Sequence, residues 1–231
     1  MKLVRLNKHT KIRYFDDNSS INNFIVSKIK RINCNKNFSN IIFSGGRSLL
    51  GLFVLLDEKK IFKNCSNLYL SDERLVKQNN IHSNYKILNS FFGKKKYLNI
   101  FNIYESYINY KEKNSKNYLS KISQEVPPHN KIDAAILGVG KDGHIASIFE
   151  DMFVIDSNNI LVILKNKYEK FDRISFSLEY LSKIKKIYII INDDEKKYLI
   201  DKLLSKKYTS QKILFKFINK SKTNIEIITK K

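Results

Sequence analysis

The chain has 231 residues, 42% of them hydrophobic, and its 43 Lys and Arg against 22 Asp and Glu give a formal net charge of +21. That length suffices for one α/β domain with a substantial core, and no apolar run reaches the roughly 18 residues that a membrane span needs. The N-terminal MKLVRLNK lacks the unbroken apolar stretch of a secretory signal, and Cys34 and Cys65, with no metal-ligand spacing around them, read as two reduced thiols in a cytoplasmic protein.

In chain order, segment 19–32 carries Ile21, Phe24, Ile25, Ile29 and Ile32 at close to helical spacing. Ile41-Ile42-Phe43 reads as a strand that runs into Ser44-Gly45-Gly46-Arg47-Ser48, with a helix continuing over 49–56. Leu68-Tyr69-Leu70 is the next strand, ending in Ser71-Asp72-Glu73-Arg74. Segment 104–122 reads as an exposed helix that stops before Pro127-Pro128. Segment 132–137 is a central strand, and a short helix is expected from Ile145 onward. Segments 161–164 and 174–178 are β-like. Segment 187–191 is a strongly apolar strand, followed by a helix over 194–204, and 213–218 is expected to close the sheet. This alternation predicts an α/β fold: a single domain over 1–231, with a Rossmann-like, mostly parallel β-sheet flanked by helices.

The lysines are scattered, as in Lys94-Lys95-Lys96, Lys183, Lys185, Lys186 and Lys230-Lys231. They read as a solvated basic surface and not as a dedicated nucleic-acid face. Neither zinc-finger spacing nor an RRM pattern is present, so no specific nucleic-acid partner and no membrane is expected. The same field would draw in a small anion. The densest signal is residues 137–149, LGVGKDGHIASIF, which joins a buried-strand pattern to a Gly-rich turn and sets Asp142 and His144 two residues apart. Ligands of α/β sheets bind at the carboxyl ends of strands, and His there can move protons near neutral pH. The bland alternative is a βα turn with a surface His. Ser44, Gly45, Gly46, Arg47 and Ser48 form a second such turn, whose backbone N–H groups and following helix suit an anion.

These pieces together resemble the 6-phosphogluconolactonase family and its wider relatives, the glucosamine-6-phosphate deaminases. The lactonase patterns look like SGGxTP, a strand ending in DER followed by DSNY, and LGxGxDGHxASLF. This chain has Ser44-Gly45-Gly46-Arg47-Ser48, then Asp72-Glu73-Arg74 with Ser83-Asn84-Tyr85, then residues 137–149, in the same order. Phe171-Asp172-Arg173-Ile174-Ser175-Phe176 is similar to a PRxTxTL segment. The resemblance spans about residues 40–200. Departures are His82 for the Asp of DSNY, Leu49 for a Pro, Ile145 for a Thr, and Asp193 for a Gly in a late TGxxK segment.

The resemblance implies hydrolysis of a phosphorylated sugar lactone with no metal and no organic cofactor, by a cytoplasmic monomer whose partner is its sugar-phosphate substrate. Such chemistry needs an activated water, which a neutral His144 can supply by taking its proton and then protonating the departing ring oxygen. Arg74 is a fixed cation for developing negative charge or for gripping substrate. Asp72 and Asp142 are candidates for orienting His144 or substrate hydroxyls, with turn capping as the open alternative. Asn84 fixes its loop or a substrate hydroxyl. Arg173 and Lys196 are implied phosphate contacts by their match to the family segments. His9 and His129 are expected to be exposed. The deaminases, whose pattern resembles DGHIAFNEP, carry a Glu five positions after the His, where this chain has Phe149, and DEY where it has Asp72-Glu73-Arg74. A deaminase-like enzyme and a non-catalytic sugar-phosphate-binding protein are the remaining alternatives.

Overall fold

The computed structural model describes every residue except 1, 37, 63–64, 114, 167–169 and 206–211, and at 47, 65 and 166 it describes the backbone alone. The elements run β1 (Lys2–Arg5), β2 (Thr10–Phe15), α1 (Asn18–Cys34), β3 (Phe38–Phe43), α2 (Leu50–Glu58), β4 (Cys65–Leu70), β5 (Asp72–Arg74), α3 (Asn84–Phe92) and β6 (Leu98–Ile100). They continue with α4 (Ile103–Glu112), α5 (Tyr118–Gln124), β7 (Ala134–Gly138), β8 (Met152–Ser157), β9 (Leu161–Asn166), β10 (Arg173–Phe176) and α6 (Leu178–Ser182). The last are β11 (Lys186–Ile191), α7 (Lys197–Ser205), α8 (Ile213–Lys220) and β12 (Asn224–Lys230). No helix among the described residues is long and apolar enough to cross a membrane.

Eight strands form one sheet in the order β1-β2-β12-β11-β7-β3-β4-β6. All neighbours are parallel except β1 and β2. The central strands carry apolar runs, Ile41–Phe43 in β3, Ala134–Leu137 in β7 and Ile187–Ile191 in β11, because both faces are covered there. In β11, Ile187, Ile189 and Ile191 pack on one face and Tyr188 and Ile190 on the other. In β7, Ala135 and Leu137 part from Ala134 and Ile136 in the same way. Side chains from α1, α2 and α3 cover one face, and those from α4 to α8 cover the other. Helix α1 starts at Asp17, whose carboxylate accepts the Ser20 N–H at 2.7 Å, the usual N-cap arrangement. It buries Ile21, Ile25, Ile29 and Ile32 at the helical period.

Strand order reverses at β3 and β7. From β3 the chain moves outward to β4 and β6, returns to β7 on the other side of β3, and then moves outward to β11 and β12. The crevice at their carboxyl ends is the topological switch point where open α/β sheets bind ligands. A second, four-stranded antiparallel sheet, β5-β10-β9-β8, stands beside it. Its strands β5 and β10 carry Arg74 and Arg173 opposite each other.

Four expectations need correction. No helix follows Ile145. The chain instead makes a tight loop in which Ile145 pairs with Val139 and with Ile148, and Ala146 takes a left-handed φ of 53°. The apolar spacing of Ile145, Ile148 and Phe149 serves to pin that loop into the core. Segment 213–218 is helical (α8) and buries all its residues except Lys216. A six-residue apolar run cannot separate strand from helix, and the sheet is extended by β12 instead. Segment 104–122 is two helices, α4 and α5, with Asn117 at φ 62° before the second, and Ile103, Tyr107, Leu119 and Ile122 are buried. His9 and His129 are half-buried, and the His129 ring lies edge-on to Tyr180.

Candidate active site

A cleft of about 520 Å³ lies at the switch point. Ser44, Gly46 and Ser48 line it from the end of β3, and Gly138, Val139, Gly140, Lys141, His144 and Ala146 from the end of β7 and its loop. Asp72, Arg74, Asn84 and Arg173 enter from the second sheet and the start of α3, and Asn192, Asp193, Glu195 and Lys196 from the end of β11. Nine of the twelve residues singled out in the sequence thus meet in one cleft. Of the others, Gly45 is buried behind it, Asp142 binds His144 at its edge, and the Arg47 side chain lies outside the described residues.

The loop after β7 is closed on itself. Gly143 N–H donates to Gly140 O, and Gly140 N–H donates to His144 O, each at 3.0 Å. A Cβ on Gly140 would stand 2.1 Å from His144 Cε1 and 2.2 Å from its Nδ1, so this position must be Gly for the imidazole to sit where it does. The imidazole rests on the Phe149 ring, centroid to centroid 4.2 Å. Its Nδ1 lies 2.6 Å from Asp142 Oδ1. Burial pushes the Asp142 carboxyl upward, but the hydrogen bond and charge of His144 outweigh it and hold the group below the ordinary carboxylate value. An ionised carboxylate only accepts, so a neutral His144 carries its proton on Nδ1 and leaves Nε2 as a lone pair.

Arg74 is held rather than free. Its Nη1 donates to His82 O at 2.8 Å and to Asn84 Oδ1 at 3.0 Å, while its Nε is buried with no hydrogen-bond partner. Asn84 in turn donates to Asp72 O at 2.9 Å. Its Cβ is 2.3 Å from where a Cβ on Gly45 would be, so the Gly-Gly turn admits Asn84 only as Gly. No local pattern announces the role of Glu73, which is fully buried and accepts the N–H groups of Arg74, Asn84 and Tyr85 and the Ser83 hydroxyl. Burial raises its carboxyl above the ordinary value although all four donors pull it down.

Of the two aspartates, Asp142 meets His144. Asp72 is turned to other partners: it accepts the hydroxyls of Ser71 at 2.7 Å and Ser147 at 2.6 Å, with Arg173 Nη1 4.0 Å away. Arg173 is 7% exposed, donates to Ser147 Oγ at 3.2 Å and lies over the Phe149 ring. Ser147 is the second residue the sequence did not reveal. Lys196 is 8% exposed, with Asp193 Oδ2 3.9 Å from its Nζ. Helix α2 begins without a side-chain cap, and Gly46 and Ser48 of the turn that leads into it line the cleft, a placement that suits an anion. The arrangement sets an imidazole and four guanidinium or ammonium groups, those of Arg74, Lys141, Arg173 and Lys196, around one volume suited to a small anionic ligand. Among the described residues no cluster of three or more His, Cys, Asp or Glu could hold a metal ion.

Comparison with known proteins agrees with this architecture. The family described as glucosamine-6-phosphate isomerases/6-phosphogluconolactonase matches residues 18–224. A 6-phosphogluconolactonase of Helicobacter pylori is 25% identical over 192 residues, covering 81% of this chain and 82% of its own. One from Borreliella burgdorferi is 30% identical over 175 residues, covering 73% and 74%. The crystal structure of a 6-phosphogluconolactonase from Shewanella baltica superposes with a TM-score of 0.76 at 19% identity, over 97% of this chain and 99% of that one. With nearly its whole length matched, the chain belongs to the glucosamine-6-phosphate isomerase/6-phosphogluconolactonase family.

Proposed function

We propose that the chain hydrolyses 6-phospho-D-glucono-1,5-lactone to 6-phospho-D-gluconate, the lactonase step of the pentose phosphate pathway, with His144 as general base. The observation that carries this reading is the His144–Asp142 contact of 2.6 Å at the edge of a cleft that also holds Arg74, Arg173 and Lys196. Water attacks the lactone carbonyl carbon as His144 Nε2 takes its proton. The tetrahedral oxyanion is stabilised by a fixed cation, for which Arg74, anchored by His82 O and Asn84, is the candidate. As the carbon–ring-oxygen bond breaks, the imidazolium returns its proton to the departing ring oxygen. Asp142 keeps the ring in the tautomer that can do this. Arg173, Lys196 and the backbone of the Gly45-Gly46 turn receive the phosphate, and Asp72 and Ser147 fix Arg173. The site of work we assign is the cytoplasm.

Phe149 separates this reading from deamination. Its buried ring supports His144 where the deaminase pattern has a carboxylate, and Glu150 is exposed and outside the cleft lining. Purified protein is expected to hydrolyse freshly made lactone faster than it opens by itself, and to release no ammonia from glucosamine 6-phosphate. Ammonia release without lactone hydrolysis would reverse the assignment.

A further inference from the structure

Three carboxylates line the cleft, and they are held differently. Asp72 is buried and saturated by the Ser71 and Ser147 hydroxyls. Glu195 forms an ion pair with Lys141 in which both side chains are mostly exposed. Asp193 stands between these extremes. Its side chain is 42% exposed, but its Oδ2 faces Lys196, whose side chain is only 10% exposed. Its other oxygen, Oδ1, accepts the Glu195 N–H at 3.2 Å and so caps the short 3-10 turn over Asp194–Lys196.

We propose that Asp193 is a built-in counter-ion for Lys196, which the phosphate of the substrate must displace, and that it thereby sets the affinity of the cleft for the phosphorylated end of its ligands. The inference rests on the reading of the cleft as a sugar-phosphate site. A nearly buried ammonium is costly without an opposite charge. The Asp193 carboxylate, 3.9 Å from the Lys196 ammonium, contributes such a charge. A phosphate monoester, carrying between one and two negative charges at neutral pH, competes for the same ammonium and meets the repulsion of the carboxylate. Because Asp193 is partly exposed, it can turn to water as the phosphate arrives. An unphosphorylated sugar acid engages no such exchange. The device weakens ground-state binding of substrate and of product alike, which favours release of 6-phosphogluconate.

Asp193→Asn tests this cleanly, because Asn keeps the cap acceptor and removes only the charge. Calorimetry with the full chain would measure inorganic phosphate, 6-phosphogluconate and unphosphorylated gluconate. The expected result is about fivefold tighter binding of the two phosphate ligands, with gluconate unchanged and KM for the lactone lowered without a rise in kcat. In a Lys196→Met background the same substitution is expected to change phosphate binding little, since the coupled partner is gone. Unchanged or weaker phosphate binding by the Asn variant overturns the proposal. So does weaker binding of both sugar acids with phosphate unaffected, which would make Asp193 a hydroxyl ligand. Asp193→Ser, which also caps, replaces the Asn variant if that one folds poorly. Absence of lactone hydrolysis in the wild type would instead count against the assigned reaction, while the phosphate titration still reads the counter-ion.

Discussion

His144 owes its proposed role to one hydrogen bond. Because the Asp142 carboxyl is held below its ordinary value, the contribution of the pair is present above the unfolded carboxylate value and is lost only as pH falls through the lowered folded one. The ionised carboxylate therefore holds a neutral His144 in the Nδ1–H tautomer. Asp142→Asn places an amide beside Nδ1 that can donate as well as accept, so the lock is lost with the shape retained. The expected outcome is a fall in kcat of roughly 10²-fold or more with little change in thermal stability, measured by steady-state hydrolysis and a melting curve. The Asp-Gly-His spacing was legible in the sequence because both partners sit within three residues of one loop. Ser147 and Asp72 are 75 positions apart, and no local pattern announces that pairing.

Among the elements, the strands that build the cleft were legible for a physical reason. Burial on both faces makes the carboxyl-terminal part of β3, β7 and most of β11 apolar, and a Gly-rich or polar turn follows each. The helix expected after Ile145 and the strand expected at 213–218 failed because short apolar runs carry no period of their own. The strands β1, β6 and β8 escaped notice as edge strands, with few of their residues buried. The second sheet is likewise a tertiary feature, since β5 is three residues long and pairs with β10 a hundred residues away. Glu73 is its anchor, tying β5 to the start of α3 through the backbone of Asn84 and Tyr85. Its carboxyl is raised in the fold, so its contribution is full below the unfolded carboxylate value and is lost as pH rises through the folded one. The stability gap between wild type and Glu73→Gln is therefore expected to be largest near about pH 4 and to narrow toward neutrality. Urea melts at several pH values check this, and a gap that widens with pH would show that the buried carboxylate is stabilised as an anion.

On the scale of the whole molecule, a net charge of +21 sets each copy against the next. The edge strand β8 exposes the apolar run Phe153-Val154-Ile155, and a register break between Val154 and Asp156 disrupts its ladder. Bulges of this kind blunt sheet edges. We expect a monomer by light scattering at low and moderate salt, and a stable dimer under both conditions would contradict that balance. The same positive field draws an anionic substrate toward a cleft already furnished with Arg74, Arg173 and Lys196. The scatter of lysines in the sequence hid this division of labour, because only the fold shows which cations are buried at the site.

The central claim is that His144 moves the proton in lactone hydrolysis. Its most direct test is the turnover of His144→Ala on freshly generated lactone, corrected for spontaneous opening, beside a melting curve of the same preparation. The account predicts a loss in kcat of roughly 10²-fold or more in a protein that melts like the wild type. Near-normal turnover by a well-folded variant would contradict it.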